Sequence, residues 1–197
     1  MPHHFFAMLS RMKYISRWAL MRNAVNENLS EHATQVAMLA HALAVLHNRR
    51  FGGNVNAERC ALLGLYHDAA ECLTGDLPTP VKYYSEAVRS AYQTVEDHAA
   101  AQLLAMLPEN LRADYDSLLR PAAEEEMLWC FVKAADKFSA LIKCMEEAQA
   151  GNKEFAIAAE STLKSLREMQ LPEAEVFLEQ FLPGFALSLD EMRQREK

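Results

Sequence analysis

The stretch Leu65-Tyr66-His67-Asp68-Ala69-Ala70-Glu71, followed by Gly75-Asp76-Leu77-Pro78-Thr79-Pro80, decides how this chain is read. A histidine and an aspartate stand side by side in an otherwise apolar helical run, with a glutamate one turn later. Burying three ionisable groups is costly unless something pairs with them. A divalent cation would, because neutral imidazole nitrogen and carboxylate oxygen are both ligands of first-row metals. At about 3.6 residues per turn, neighbours on a helix project about 100° apart, so one ion can touch both. Glu71 is expected on the face of His67, close enough to act on a water beside that ion. The competing reading is a helix carrying a polar stripe and no ion.

Outward from this stretch the sequence is helical. Asn56 is expected to cap a helix running through Cys60, Leu63 and His67 to a stop near Gly75. Pro78 and Pro80 cannot continue a helix and stiffen the loop that follows. Upstream, Phe5, Met8, Leu9 and Met12 give a first helix over 4–15, and 16–28 is irregular. A second helix is expected from near Ser30, a good N-cap residue, to about His47. Downstream, helices are expected over 85–106, to about Leu119, and over 123–149, 153–170 and 173–182, with a short one from Ser188. No alternating strand is found, so the fold class is all-α.

Composition agrees. A chain of 197 residues, 51% hydrophobic and 24% charged, has the make-up of one ordered domain with a sizeable core. Cys60, Cys72, Cys130 and Cys144 show no metal-finger spacing and read as small buried residues in a reducing compartment. No apolar run approaches the roughly 20 residues of a membrane span, and no secretory signal is seen, so a cytoplasmic location is expected. The net charge of −7 excludes broad binding to nucleic-acid polymers. Against that average, residues 1–26 carry Arg11, Lys13, Arg17 and Arg22 and no acid. This is either a solvated helix face or a local positive field for an anionic substrate.

Two more ligand-type residues interrupt apolar stripes. Positions 32, 36, 39, 43 and 46 share one helix face and read His32, Val36, Leu39, Leu43 and Leu46. Positions 129, 132, 136 and 140 read Trp129, Val132, Asp136 and Ala140. Alone, Asp136 would be served by a salt bridge to Lys133 or Lys143. Together, His32, His67, Asp68 and Asp136 are polar exceptions on three core helices, the pattern of a metal site. His41 and His47 point elsewhere, and Asp97-His98 belongs to a solvated face.

The order His32, His67-Asp68, Asp136 resembles the signature of the HD-domain metal-dependent phosphohydrolases. More closely, Arg17-Trp18, Ser30-Glu31-His32, Tyr66 to Glu71, Thr74 to Lys82, Val132 to Asp136 and Leu187 to Glu191 resemble the bacterial 5′-deoxynucleotidases of the YfbR type. The resemblance implies a single HD domain over 1–197, with a metal-binding core at about 28–150 and C-terminal helices 153–195 packed on it. It implies a homodimer that hydrolyses 2′-deoxyribonucleoside 5′-monophosphates to deoxynucleoside and phosphate. Its metal ligands would be His32, His67, Asp68 and Asp136, and its catalytic residues Glu71, Asp76 and Arg17. Arg17, Trp18, Asp76, Leu77, Pro78 and Thr79 would contact substrate. Co²⁺ or Mn²⁺ is the foremost expectation for the metal, with Ni²⁺, Fe²⁺ and Zn²⁺ compatible. Which of Glu71 and Asp76 is base and which acid stays open. The alternatives are an HD phosphohydrolase acting on a cyclic nucleotide or a nucleoside triphosphate, and a non-catalytic helical protein with a structural metal.

Overall fold

The computed structural model describes residues 2–82, 84–120 and 122–194. In chain order it forms α1 (Phe5–Leu9), α2 (Leu29–Arg50), α3 (Ala57–Tyr66), α4 (Glu71–Thr74) and α5 (Thr79–Lys82). Then follow α6 (Glu86–Ala105), α7 (Glu109–Leu119), α8 (Glu126–Gln149), α9 (Ala156–Glu168), α10 (Pro172–Gln180) and α11 (Leu189–Gln194). Tight 3-10 turns cover Ser10–Tyr14, Ala123–Glu125 and Leu182–Ala186. The fold is all-α, as expected. Among the described residues the only β-type pairing is an isolated bridge between Ser16 and Asn28.

The centre is built by α2, α3 and α8. The expected stripe of α2 is buried throughout, from His32 through Val36, Leu39, Leu43 and Leu46. It meets Cys60 and Leu63 of α3 and Phe131, Val132, Phe138 and Ile142 of α8. Each such leucine or phenylalanine contributes roughly 1.5–3 kcal/mol by leaving water. Gly64 sets how closely α3 crosses α2, because a Cβ there would stand 3.0 Å from Ala37 Cα. That approach brings the rings of His32 and His67 to 5.3 Å between centroids. A second cluster joins Phe5 and Ala69 to Leu103, Leu104 and Leu107. A third joins Met12 to Leu29, Ala33 and Cys72.

Three expectations are corrected. Helix α2 begins near Ser30 as expected, but its cap is Asn28, which forms a full capping box. The Asn28 side chain accepts from Glu31 N at 3.1 Å, and Glu31 accepts from Asn28 N at 3.2 Å. The third helix does not run on to Gly75 but ends at Tyr66. Beyond it the backbone bonds Ala69 N to Tyr66 O, Glu71 N to Asp68 O and Cys72 N to Ala69 O, a tighter winding that continues into α4. His67 and Asp68 therefore sit at a helix end, not in a straight helix. The loop after Gly75 turns into α5, since Pro80 falls in a first turn where its missing N–H leaves no partner unsatisfied. The expected C-terminal helices appear as α9, α10 and α11, and their last expected residue, Arg195, lies outside the described residues.

Candidate active site and metal centre

The break after Tyr66 has a chemical use. His67 Nδ1 lies 2.7 Å from the carbonyl of Gly64, which can only accept, so Nδ1 carries a proton and Nε2 is the nitrogen turned to the site. His32 is set the same way. Its Nδ1 is 2.9 Å from Ser139 Oγ, whose own proton is given to Gln35 Oε1 at 2.6 Å. Both Nε2 atoms are buried without a hydrogen-bond partner. Both Nε2 atoms thus turn toward one point, where Asp68 supplies an oxygen and an ion would take their lone pairs.

The spacing fits a metal ion. Donors about 2.1 Å from a shared ion stand about 3.0 Å apart at right angles and about 3.4 Å at the tetrahedral angle. Asp68 Oδ2 is 2.9 Å from His67 Nε2 and 3.4 Å from His32 Nε2. Donor atoms of these three residues all fall within 4.8 Å of one another. Asp136 Oδ1 is 3.3 Å from His32 Nε2. Asp136 is not the buried carboxylate expected from its stripe, because its side chain is 44% exposed. Trp129 and Ala140 are also only half-buried, so the stripe runs along the edge of the core and Asp136 opens to solvent. Neither lysine considered from sequence pairs with it. Lys133 is exposed and Lys143 pairs with Glu147.

The cluster demands positive charge. Burial pulls the His32 pKa down, but the neighbouring carboxylates of Asp136 and Asp68 outweigh it and push His32 up to about 9, so at neutral pH its Nε2 takes either a proton or an ion. A divalent ion satisfies the same demand. Glu71 is buried, with Oε2 unpartnered. Burial, then the charges of Asp68 and Asp76, push it up to about 10, against Arg17 and Lys82. A cation among the ligands would act in the opposite sense. Asp76 is half-buried in the loop after α4 and is raised mainly by burial, although the Trp18 backbone hydrogen-bonds to it.

Arg17 and Trp18 come to this centre from the irregular segment before α2. The Arg17 side chain is 10% exposed, and its Nη1 is 3.8 Å from Asp68 Oδ2. Trp18 has φ 58°, a left-handed backbone that costs a non-glycine residue roughly 1–3 kcal/mol. Hydrogen bonds from Met21 N and Asn23 Nδ2 to Trp18 O and packing on Phe155 hold it there. Leu77 and Pro78 are half-buried, and Thr79 is exposed at the start of α5. Among the described residues no hydrogen bond joins their side chains to the ligand cluster.

Sequence reasoning missed four residues that organise the site. Ser139 and Gln35 fix the His32 tautomer. Glu147 accepts from Ala24 N at 2.8 Å, Val25 N at 3.2 Å and Asn152 Nδ2 at 2.7 Å, and pairs with Lys143. It thereby ties the Trp18 segment to α8. Glu27 accepts from both Arg17 and Trp18. Glu27 alone had a sequence signal: it is the first acid after four bases.

Residues 4–185 match the family described as 5′-deoxynucleotidase YfbR-like. The chain belongs to the YfbR-like family. It is 51% identical over 191 residues to the 5′-deoxynucleotidase of Erwinia tasmaniensis, covering 97% of this chain and 96% of that one. The 5′-deoxynucleotidase YfbR of Escherichia coli (strain ATCC 8739) is also 51% identical, with the same coverage. Among solved structures, an HD-domain phosphohydrolase from Listeria innocua superposes with a TM-score of 0.81 at 22% identity, covering 94% of this chain and 90% of that one. A cyanophage S-2L HD phosphohydrolase (DatZ), bound to dA and one catalytic Zn²⁺ ion, gives 0.61 at 16% identity, covering 90% and 96%. These structures show that the YfbR-like chain has the HD-domain fold.

Proposed function

We propose that this protein is a metal-dependent phosphomonoesterase that hydrolyses 2′-deoxyribonucleoside 5′-monophosphates to deoxynucleoside and phosphate. One observation carries this: in a YfbR-like chain, the Arg17 guanidinium stands 3.8 Å from Asp68, beside two unpartnered imidazole nitrogens. His32, His67 and Asp68 would hold the ion, with Asp136 as the fourth ligand at the solvent-facing edge. When bound, a divalent cation would polarise phosphate oxygens and lower the pKa of a coordinated water. The two imidazoles with carboxylates support Co²⁺ or Mn²⁺, and equally suit Ni²⁺, Fe²⁺ or Zn²⁺.

The remaining chemistry falls to the chain's own groups. Arg17 is permanently charged and can take phosphate oxygens through its terminal nitrogens. Glu71 takes a proton from the attacking water as its oxygen bonds to phosphorus. The bond from phosphorus to O5′ breaks, and Asp76, whose pKa burial raises, gives a proton to O5′. Trp18 presents a flat wall to the sugar, where a 2′-hydroxyl would lose its hydrogen bonds to water. That loss costs roughly 1–3 kcal/mol, a preference of about 5- to 150-fold for the deoxy sugar. Leu77, Pro78 and Thr79 complete the proposed substrate contacts.

The whole chain is proposed to act as one HD domain, supported by the packing of α9 on α8 and of α10 on α2. The proposed cytoplasmic location is supported by four free cysteines, which suit a reducing compartment. A homodimer is proposed from the resemblance alone, and light scattering tests it. Among the described residues no helix is long and apolar enough to cross a membrane. The activity is tested by phosphate release from ribo- and deoxynucleoside mono-, di- and triphosphates and cyclic nucleotides, after chelation and return of each divalent metal. Deoxynucleoside monophosphates should release phosphate only with metal. Preference for a triphosphate or a cyclic nucleotide would favour another HD phosphohydrolase activity. No release with any metal would leave a structural ion.

A further inference from the structure

The segment from Ile15 to Leu29 leaves the core and returns to it, closed by Leu29 N to Ile15 O at 2.9 Å and Arg17 N to Glu27 O at 3.0 Å. This pairing sets the Glu27 side chain opposite Arg17 and Trp18. One oxygen of Glu27, Oε2, accepts from Arg17 Nε at 3.1 Å and from Trp18 Nε1 at 3.0 Å. Its side chain is 13% exposed. The guanidinium keeps its two terminal nitrogens, one of them facing Asp68, while the indole is fixed by its only polar atom. Trp18 is held in an unfavourable backbone conformation, so it depends on such contacts for its orientation.

We propose that Glu27 is a specificity-determining positioning residue, whose single carboxylate oxygen locks the phosphate-holding guanidinium and the sugar-facing indole into one unit. It does not touch the reacting atoms. The proposal deepens the deoxynucleotidase reading and rests on it for its substrate. Because both donors share one oxygen, the grip on phosphate and the discrimination at the sugar should fail together when Glu27 is removed. Losing Trp18 alone should affect only the second. Glutamine keeps one acceptor oxygen but no charge, so Glu27→Gln should lie between wild type and Glu27→Ala.

The test compares kcat and KM for dAMP and AMP in metal-loaded wild type, Glu27→Ala, Glu27→Gln and Trp18→Ala, with metal content and circular dichroism as controls. In Glu27→Ala the dAMP-to-AMP ratio of kcat/KM should fall about fivefold or more, the scale of one hydrogen bond of about 1 kcal/mol, while KM for dAMP rises. Metal content should stay at the wild-type level. Glu27→Gln should restore part of the ratio. An unchanged ratio in a folded, metal-loaded Glu27→Ala would overturn the proposal, as would an equal fall with both nucleotides. Tryptophan fluorescence supplies a readout independent of turnover. The chain has two tryptophans, so a Trp129→Phe background reports Trp18 alone. Acrylamide quenching in that background should rise in Glu27→Ala, and less in Glu27→Gln; unchanged quenching in both would sink the positional claim. Wild type inactive on dAMP but showing the quenching change would instead refute the substrate reading and leave the Glu27 lock standing.

Discussion

Ser139 Oγ lies 2.9 Å from His32 Nδ1 and gives its own proton to Gln35, so the hydroxyl fixes which nitrogen of His32 faces Asp68. This support comes from α8, 107 residues away along the chain. Removing it frees the imidazole to take the other tautomer, which presents a proton where the ion needs a lone pair. Ser139→Ala should weaken metal affinity by about 10- to 100-fold, the usual effect of losing a partner of a ligating histidine. Competition against a fluorescent chelator measures it. Wild-type affinity in Ser139→Ala would mean that packing alone orients His32.

Glu71 is buried beside the ligands, yet its Oε2 has no hydrogen-bond partner. A proton acceptor held this way is expected to serve turnover rather than metal retention. Glu71→Gln should keep its metal and its affinity for dAMP and lose turnover by about 10²–10⁴. Single-turnover kinetics with metal analysis separates the two effects. Near-normal turnover would move Glu71 out of the proton path.

Glu147 gives a prediction about pH. Burial raises its pKa, but Lys143, the N–H of Ala24, Asn152 and the N–H of Val25 outweigh burial and lower it from 4.5 to about 2. A carboxylate depressed on folding stabilises fully above its unfolded pKa and is lost as pH falls through its folded one. The contribution is therefore intact above about pH 5 and fades toward pH 2. Denaturant melts of wild type and Glu147→Gln should converge across that window. Parallel curves would show that the carboxylate does not hold its charge in the folded state.

What could be seen in sequence follows the range of the interactions. Helix periodicity is local, so the His32 stripe and the elements around it were legible. His67-Asp68 stood out because the cost of burying both shows in the residue types themselves. The break after Tyr66 was hidden, because a histidine closing onto the Gly64 carbonyl looks from sequence like one more helical turn. The exposure of Asp136 was hidden too, since an apolar stripe does not tell the middle of a core from its edge. Ser139 and Glu147 act across more than 100 residues, where spacing carries no information.

The most direct measurement is metal content together with phosphate release from dAMP, in wild type and Asp68→Ala, both chelated and then resupplied with a single divalent metal. Wild type should regain about one ion per chain and its activity together, as one shared site requires. Asp68→Ala, folded by circular dichroism, should regain neither. Full metal occupancy with near-normal phosphate release in Asp68→Ala would contradict a catalytic metal at His32, His67 and Asp68.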